Sequence, residues 1–158
     1  MTETLENIIY LELDHGRVSI ETRPDLAPEH VERITTLVRD GFYDGLVFHR
    51  VIDGFMAQTG CPDGDGTGGS GQKLKAEFSD EPYVRGTVGM ARTMNPDSGD
   101  SQFFITFEET PHLDGQYTVW GQVVEGMEHI DNVEHGEPPA EPSVIKSMVM
   151  ASDLKDAA

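Results

Sequence analysis

The sequence has one cysteine, Cys61, so an intrachain disulfide and a multi-cysteine zinc site are both excluded. It has no apolar run longer than a few residues, whereas a membrane-spanning helix needs about 20. Positive charge is scarce. Lys+Arg number 11 against 29 Asp+Glu, a formal charge of −18. Such a surface repels phosphate backbones and anionic lipid, so neither nucleic acid nor a membrane is expected as a partner. It could recruit a basic protein, although a solvated, self-repelling surface is the commoner use of such charge. The first residues, Met1–Glu6, are acidic and lack an apolar stretch, which argues against an ordinary secretory signal and for a cytoplasmic protein.

Several chemistries are also missing. The six histidines show no His-Glu-x-x-His spacing, and no serine sits in a Gly-x-Ser-x-Gly elbow. Cys61 lies between Gly60 and Pro62 with no base nearby in sequence, which suits a structural thiol better than a nucleophile. Gly64-Asp-Gly-Thr-Gly-Gly69 matches a dinucleotide fingerprint by letter only. Pro62 precedes it, more glycine follows, and Asp63 and Asp65 would repel a pyrophosphate. Asp63-x-Asp65-x-Thr67 resembles the start of a calcium loop, but its twelfth position is Leu74 rather than Glu. No metal and no cofactor is expected.

What is present suits one domain spanning residues 1–158, with enough apolar and aromatic residues for a core. Ile9, Leu11 and Leu13 alternate with Tyr10 and Glu12, and Val18 and Ile20 resume the pattern after Asp14-His15-Gly16. This reads as a β-hairpin. Pro28 then opens a helical period through Val31, Ile34, Leu37 and Val38, and Gly41 stops it after Asp40. Strand-like pieces follow at Leu46–Ile52, Phe55–Thr59, Gly86–Arg92, Gln102–Phe107, Val119–Val124 and Val144–Met150, with a short helix around Met127–Val133. Many short strands with few helices suggest a β-barrel or sandwich. A closed barrel with a helix plugging each end would bury both helices and leave few strand edges.

The segment Phe48-His-Arg-Val-Ile-Asp-Gly-Phe-Met-Ala-Gln-Thr-Gly60 is chemically unusual. Strand alternation places Phe48, Arg50 and Ile52 on one side and Val47, His49 and Val51 on the other. An arginine among apolar strand residues needs hydrogen-bond partners. Phe55, Met56 and Gln58, the strand Gln102–Ile105, and the turn His112–Gly115 could complete a cleft. Its apolar walls suit a compact ring, and its arginine offers donors but no base. A peptide-binding groove would use the same residue types.

Phe48–Gly60, Gly89-Met90-Ala91, Ser101-Gln-Phe-Phe-Ile105, Leu113-Asp-Gly115 and Tyr43-Asp-Gly45 together resemble the cyclophilin family of peptidyl-prolyl cis-trans isomerases, over roughly Ile8 to Met150. The resemblance implies a mainly β fold, a closed eight-stranded antiparallel β-barrel capped by two α-helices. It implies an enzyme that accelerates rotation about X-Pro bonds, without a cofactor, in peptides and unfolded proteins. By matching position, Arg50 is the catalytic arginine, Gln58 orients it, and Phe55, Met56, Phe104 and Leu113 wall the proline pocket. Ala91 and Arg92 match the backbone that binds the residues before proline, Gln102 lies on the rim, and His49 stands nearby. His112 replaces a common Trp, so strong cyclosporin binding is not expected. Tyr117 replaces a common His, and with Arg92 it resembles the bacterial branch. A monomer is expected. A proline-binding or chaperone module with little turnover is the alternative, against which Arg50, Phe55, Gln58 and Phe104 stand.

Overall fold

The computed structural model describes residues 7–155, so the acidic Met1–Glu6 segment and both ends of the expected 1–158 domain lie outside the described residues. Eight strands are present: β1 Ile8–Leu13, β2 Gly16–Thr22, β3 Arg50–Ile52, β4 Met56–Thr59, β5 Thr87–Met90, β6 Phe103–Thr106, β7 Val119–Glu125 and β8 Ser147–Met150. They form one antiparallel sheet in the order β3-β4-β6-β5-β7-β2-β1-β8, curled into a half-barrel. The β1–β2 hairpin pairs Leu13 with Gly16 across the Asp14-His15 turn, as the alternation predicts.

The expected closure does not occur, because β3 and β8, at the two ends of the order, do not pair. The segments preceding them meet instead. Gly45 N–H donates to Ile145 C=O (2.7 Å), Ile145 N–H to Leu46 C=O (2.8 Å) and Phe48 N–H to Ser143 C=O (2.9 Å), around the single bridge Val47–Val144. Three- and four-residue strands are too short to extend this contact into a ladder. The run before Ser143 holds Pro138, Pro139 and Pro142, which have no N–H to give one. The irregular chain at 45–49 also breaks the predicted alternation. Phe48 turns into the main core with Val51, while Arg50 faces outward.

Helix α1 spans Pro28–Arg39, with Pro28 in its first turn and Gly41 (φ +75°) just beyond the Asp40 cap. Its N-cap residue, Ala27, has no hydrogen-bonding side chain to offer. Glu77 does that work from a distant loop. Its carboxylate accepts the N–H of Glu29 (3.2 Å) and of His30 (2.9 Å), together with His30 Nδ1 (2.6 Å). The contact resembles an ion pair, but burial holds His30 below its ordinary value despite the carboxylate, so a neutral imidazole donates to Glu77. Helix α2, Met127–Asp131, is shorter than predicted, and a third helix, α3 Ala151–Lys155, follows β8 where two helices were expected.

The two faces of the sheet do different things. Val31, Ile34, Leu37 and Val38 of α1 and Ile130 of α2 join Ile9, Leu11, Val88, Phe103, Ile105 and Trp120 in the main core. A second cluster, Met56, Tyr83, Phe104, Leu113 and Val119, occupies the opposite face. Every residue of β5 and β6 is therefore buried, and Phe103 and Phe104 point in opposite directions.

Candidate active site

Strand register builds the site. Arg50 on β3 stands opposite Gln58 on β4, Gln58 opposite Phe104 on β6, and Phe104 opposite Gly89 on β5. A row of outward-facing side chains thus crosses three strands and ends at Gly89 on the fourth. Gly89 is needed for close approach: a Cβ there would lie 2.4 Å from the Tyr83 hydroxyl and 2.8 Å from the Phe104 ring. Without it the rings of Tyr83 and Phe104 stack at 5.7 Å, and Tyr83 donates its hydroxyl to Tyr117 C=O (2.8 Å). Burial raises the Tyr83 phenol far above its ordinary value, so it remains a donor.

The β3–β4 turn carries Gly54 at φ +71° and closes with Phe55 N–H to Ile52 C=O (3.0 Å). It sets Phe55 beside the pocket. On the far side, the single helical turn Pro111–Leu113 presents Leu113 inward, and Asp114 accepts Tyr83 N–H (2.8 Å) to fix that turn. The result is a cavity of about 110 Å³. Its walls are Phe55, Met56, Phe104, Leu113 and Tyr117, with Arg50 and Gln58 on one side and Ala91 and Arg92 on another. Nine of the eleven side chains singled out in the sequence line it. Gln102 lies in an adjoining groove that shares Gln58, Ala91 and Arg92 with the cavity. His112 is exposed and packs on the Phe55 ring at 5.5 Å.

Arg50 is held without being buried. Its Nη1 donates to Gln58 Oε1 (3.3 Å) and its Nε to Glu137 Oε1 (3.3 Å). Those bonds leave Nη2 for a ligand. The Glu137 ion pair has no signature in the sequence. Both partners are about half exposed, 45% and 57%, so the pair is weak enough to yield to a ligand. Gln58 Nε2 donates to Gln102 Oε1 (3.0 Å), and Gln102 Nε2 donates to the carbonyls of Gly66 (3.0 Å) and Gly68 (2.9 Å).

Arg92 supports the rim. It donates to Gln116 C=O (2.9 Å) and Thr93 C=O (2.8 Å), and its guanidinium lies 4.6 Å from the centre of the Tyr117 ring. The Ala91 N–H is occupied by Gln102 C=O (2.9 Å), so Ala91 can offer a peptide only its carbonyl. His49 is buried behind the site, and burial, with Arg50 beside it, holds it below its ordinary value as a neutral ring. Sequence reading missed Tyr83 and Glu137, which belong to segments without any recurring pattern. It also missed the capping role of Glu77. Among the described residues no cluster of His, Cys, Asp and Glu is assembled for a metal, and no helix opens at the glycine-rich loop.

An antiparallel half-barrel bearing an arginine-edged apolar pocket on its outer face defines a recognisable class of protein. The family model described as cyclophilin type peptidyl-prolyl cis-trans isomerase matches residues 8–151. A "Probable peptidyl-prolyl cis-trans isomerase" of Brucella abortus is 53% identical over 154 residues, covering 90% of this chain and 78% of the relative. Peptidyl-prolyl cis-trans isomerase B of Bacillus subtilis is 44% identical over 126 residues, covering 78% and 87%. Among solved structures, cyclophilin AquaCyp293 from Hirschia baltica superposes with a TM-score of 0.89 at 30% identity, over 97% of this chain and 77% of that one. A Cryptosporidium parvum cyclophilin, crystallised in the presence of the dipeptide Ala-Pro, gives 0.84 at 28% identity, over 90% and 98%. The chain belongs to the cyclophilin-type peptidyl-prolyl cis-trans isomerases, on the bacterial side of that family. Its activity is isomerisation of X-Pro peptide bonds.

Proposed function

We propose that Arg50, Phe55 and Gln58 carry the isomerisation, and that Met56, Ala91, Arg92, Gln102, Phe104, His112, Leu113 and Tyr117 hold the peptide. The observation that carries this reading is the Arg50 guanidinium, set at the edge of an apolar cavity with Nε and Nη1 engaged and Nη2 left over. The proline ring rests against Phe55, Met56, Phe104 and Leu113. The Cryptosporidium parvum relative crystallised with Ala-Pro supports a proline-containing occupant.

Amide resonance sets the rotation barrier at about 18–20 kcal/mol, and uncatalysed X-Pro exchange takes tens to hundreds of seconds. A millionfold acceleration requires a reduction of about 8 kcal/mol. No covalent bond breaks, so the site needs neither base nor nucleophile. As the bond twists, the prolyl nitrogen loses conjugation and gains lone-pair character. Arg50 donates to that nitrogen more strongly in the twisted state than in the planar one, and such differential binding lowers the barrier. The apolar walls hold the ring while the acyl side turns, and they exclude the water that would weaken the arginine contact.

The protein acts as a cytoplasmic monomer of one domain, residues 1–158, on proline-containing peptides and unfolded chains, and so assists folding. It uses no cofactor and no metal. Its charge of −18 opposes binding to nucleic acid or anionic membranes. No described helix is long and apolar enough to cross a membrane. Mixing the protein with an Ala-Pro test peptide and following cis-trans exchange separates an enzyme from a binding module. Catalytic amounts of the isomerase speed exchange, whereas a binding module shifts peptide signals and leaves the exchange rate unchanged.

A further inference from the structure

The chain of hydrogen bonds that ends at Arg50 has its polarity fixed at both ends. Arg50 can only donate, so Gln58 must turn Oε1 toward it and its NH2 away. The carbonyls of Gly66 and Gly68 can only accept, so Gln102 must turn its NH2 toward them and Oε1 toward Gln58. Each amide has one orientation that satisfies both neighbours. That orientation depends on two glycine carbonyls in a loop without secondary structure.

Two side chains shape that loop: Asp65, whose Oδ1 accepts the N–H (3.0 Å) and hydroxyl (2.6 Å) of Thr67, and Cys61. The cysteine is buried and lies one residue, Gly60, beyond the end of β4. Its sulfur accepts the N–H of Gly66 (3.3 Å) and of Gly68 (3.2 Å), and its thiol lies 3.8 Å from Asp65 Oδ1. The two glycines that give their N–H to the sulfur are the two that give their C=O to Gln102. Burial pushes the thiol up, but the backbone N–H groups facing it, Gly68 foremost, outweigh burial and leave the thiol below its ordinary value. The loop folds tightly around it. Gly66 sits at φ +90°, and a Cβ on Gly68 would lie 2.5 Å from Asp63 Oδ2.

We propose that Cys61 is a positioning residue for the isomerase reaction, holding the 66–68 turn in the form that orients Gln102, Gln58 and, through them, Arg50. The proposal rests on the role given to Arg50 above.

A double-mutant cycle tests it. Rates and side-chain amide NMR spectra are recorded for wild type, Cys61→Ala, Cys61→Ser, Gln102→Leu and Cys61→Ala/Gln102→Leu. Cys61→Ala is expected to lower kcat about tenfold, less than the roughly hundredfold that a 1 Å misplacement of a catalytic group can cost, with little change in KM. Serine, which keeps an acceptor, recovers part of the loss. On the Gln102→Leu background, Cys61→Ala costs nothing further, because the link it acts through is already cut. In Cys61→Ala the side-chain NH2 signals of Gln58 and Gln102 move toward free-amide positions while the core Trp120 indole signal stays. Full activity with unmoved glutamine signals, or losses that multiply in the double variant, overturns the proposal. If Cys61→Ala does not fold, the Cys61→Ser/Gln102→Leu cycle decides by the same criterion. A wild type without isomerase activity refutes the role of Arg50 instead, and the amide signals still report whether the sulfur orders the glutamines.

Discussion

Phe103 and Phe104 differ only in which face of β6 they occupy, yet one packs on Trp120 in the core and the other walls the pocket. The resemblance carried by Ser101–Ile105 implied that Phe104 walls the pocket, and strand period sends its neighbour Phe103 to the other face. Arg50, Phe55 and Gln58 were likewise singled out through the resemblance carried by Phe48–Gly60, and the structure adds the register that brings Arg50 and Gln58 together. Glu137 was not, because it reaches Arg50 across 87 residues from a proline-rich segment without periodicity. At this scale His112 sets a further expectation. It lies on Phe55 at the pocket edge and offers a smaller, more polar face than the Trp that the family resemblance implies there. Titration with cyclosporin should show weak binding that tightens about tenfold or more in His112→Trp, as an added aromatic anchor would give. Tight binding by the unchanged protein would contradict this.

At the scale of elements, α1 was the clearest reading, since its stripe, first-turn proline and terminal glycine all agree. Its N-terminal cap was invisible because the partner, Glu77, lies 47 residues away in a loop. Replacing Glu77 with Ala should cost about 1–2 kcal/mol, the cost of a lost cap, measured by urea unfolding. Acidification acts on the same contact. Burial depresses His30 from 6.5, so its contribution is complete above that value and fades as pH falls through 6.5 and then its folded value. Glu77 is pushed up by burial but pulled further down by its bonds from His30 and Glu29. Its contribution is present above 4.5 and fades as pH drops toward its lower folded value. Urea midpoints should fall between pH 7.5 and 5.5, and less steeply in His30→Gln. An equal slope in both proteins would remove His30 from the explanation.

Across the whole molecule, the number of strands followed from many short strand-like segments and their antiparallel pairing from the family resemblance, but closure did not hold. Whether the last edges join depends on strand lengths and on prolines at the seam, which local pattern does not weigh. The seam rests on a few bonds between 45–48 and 143–145. Amide hydrogen exchange should therefore be faster there than in the doubly buried strands β5 and β6. Equal protection would mean that the barrel closes in solution. The charge of −18 also strains the compact state through self-repulsion.

The claim on which the mechanism stands is that the Arg50 guanidinium binds the twisted imide better than the planar one. The most direct measurement compares wild type with Arg50→Ala, reading the on-enzyme cis-trans exchange rate and the Kd of an Ala-Pro peptide by NMR. The exchange rate should fall by about 10²–10³, the range for removing one transition-state donor, while Kd changes only a few-fold. Equal exchange rates in the two proteins, or a loss of binding that accounts for the whole loss of rate, would contradict it.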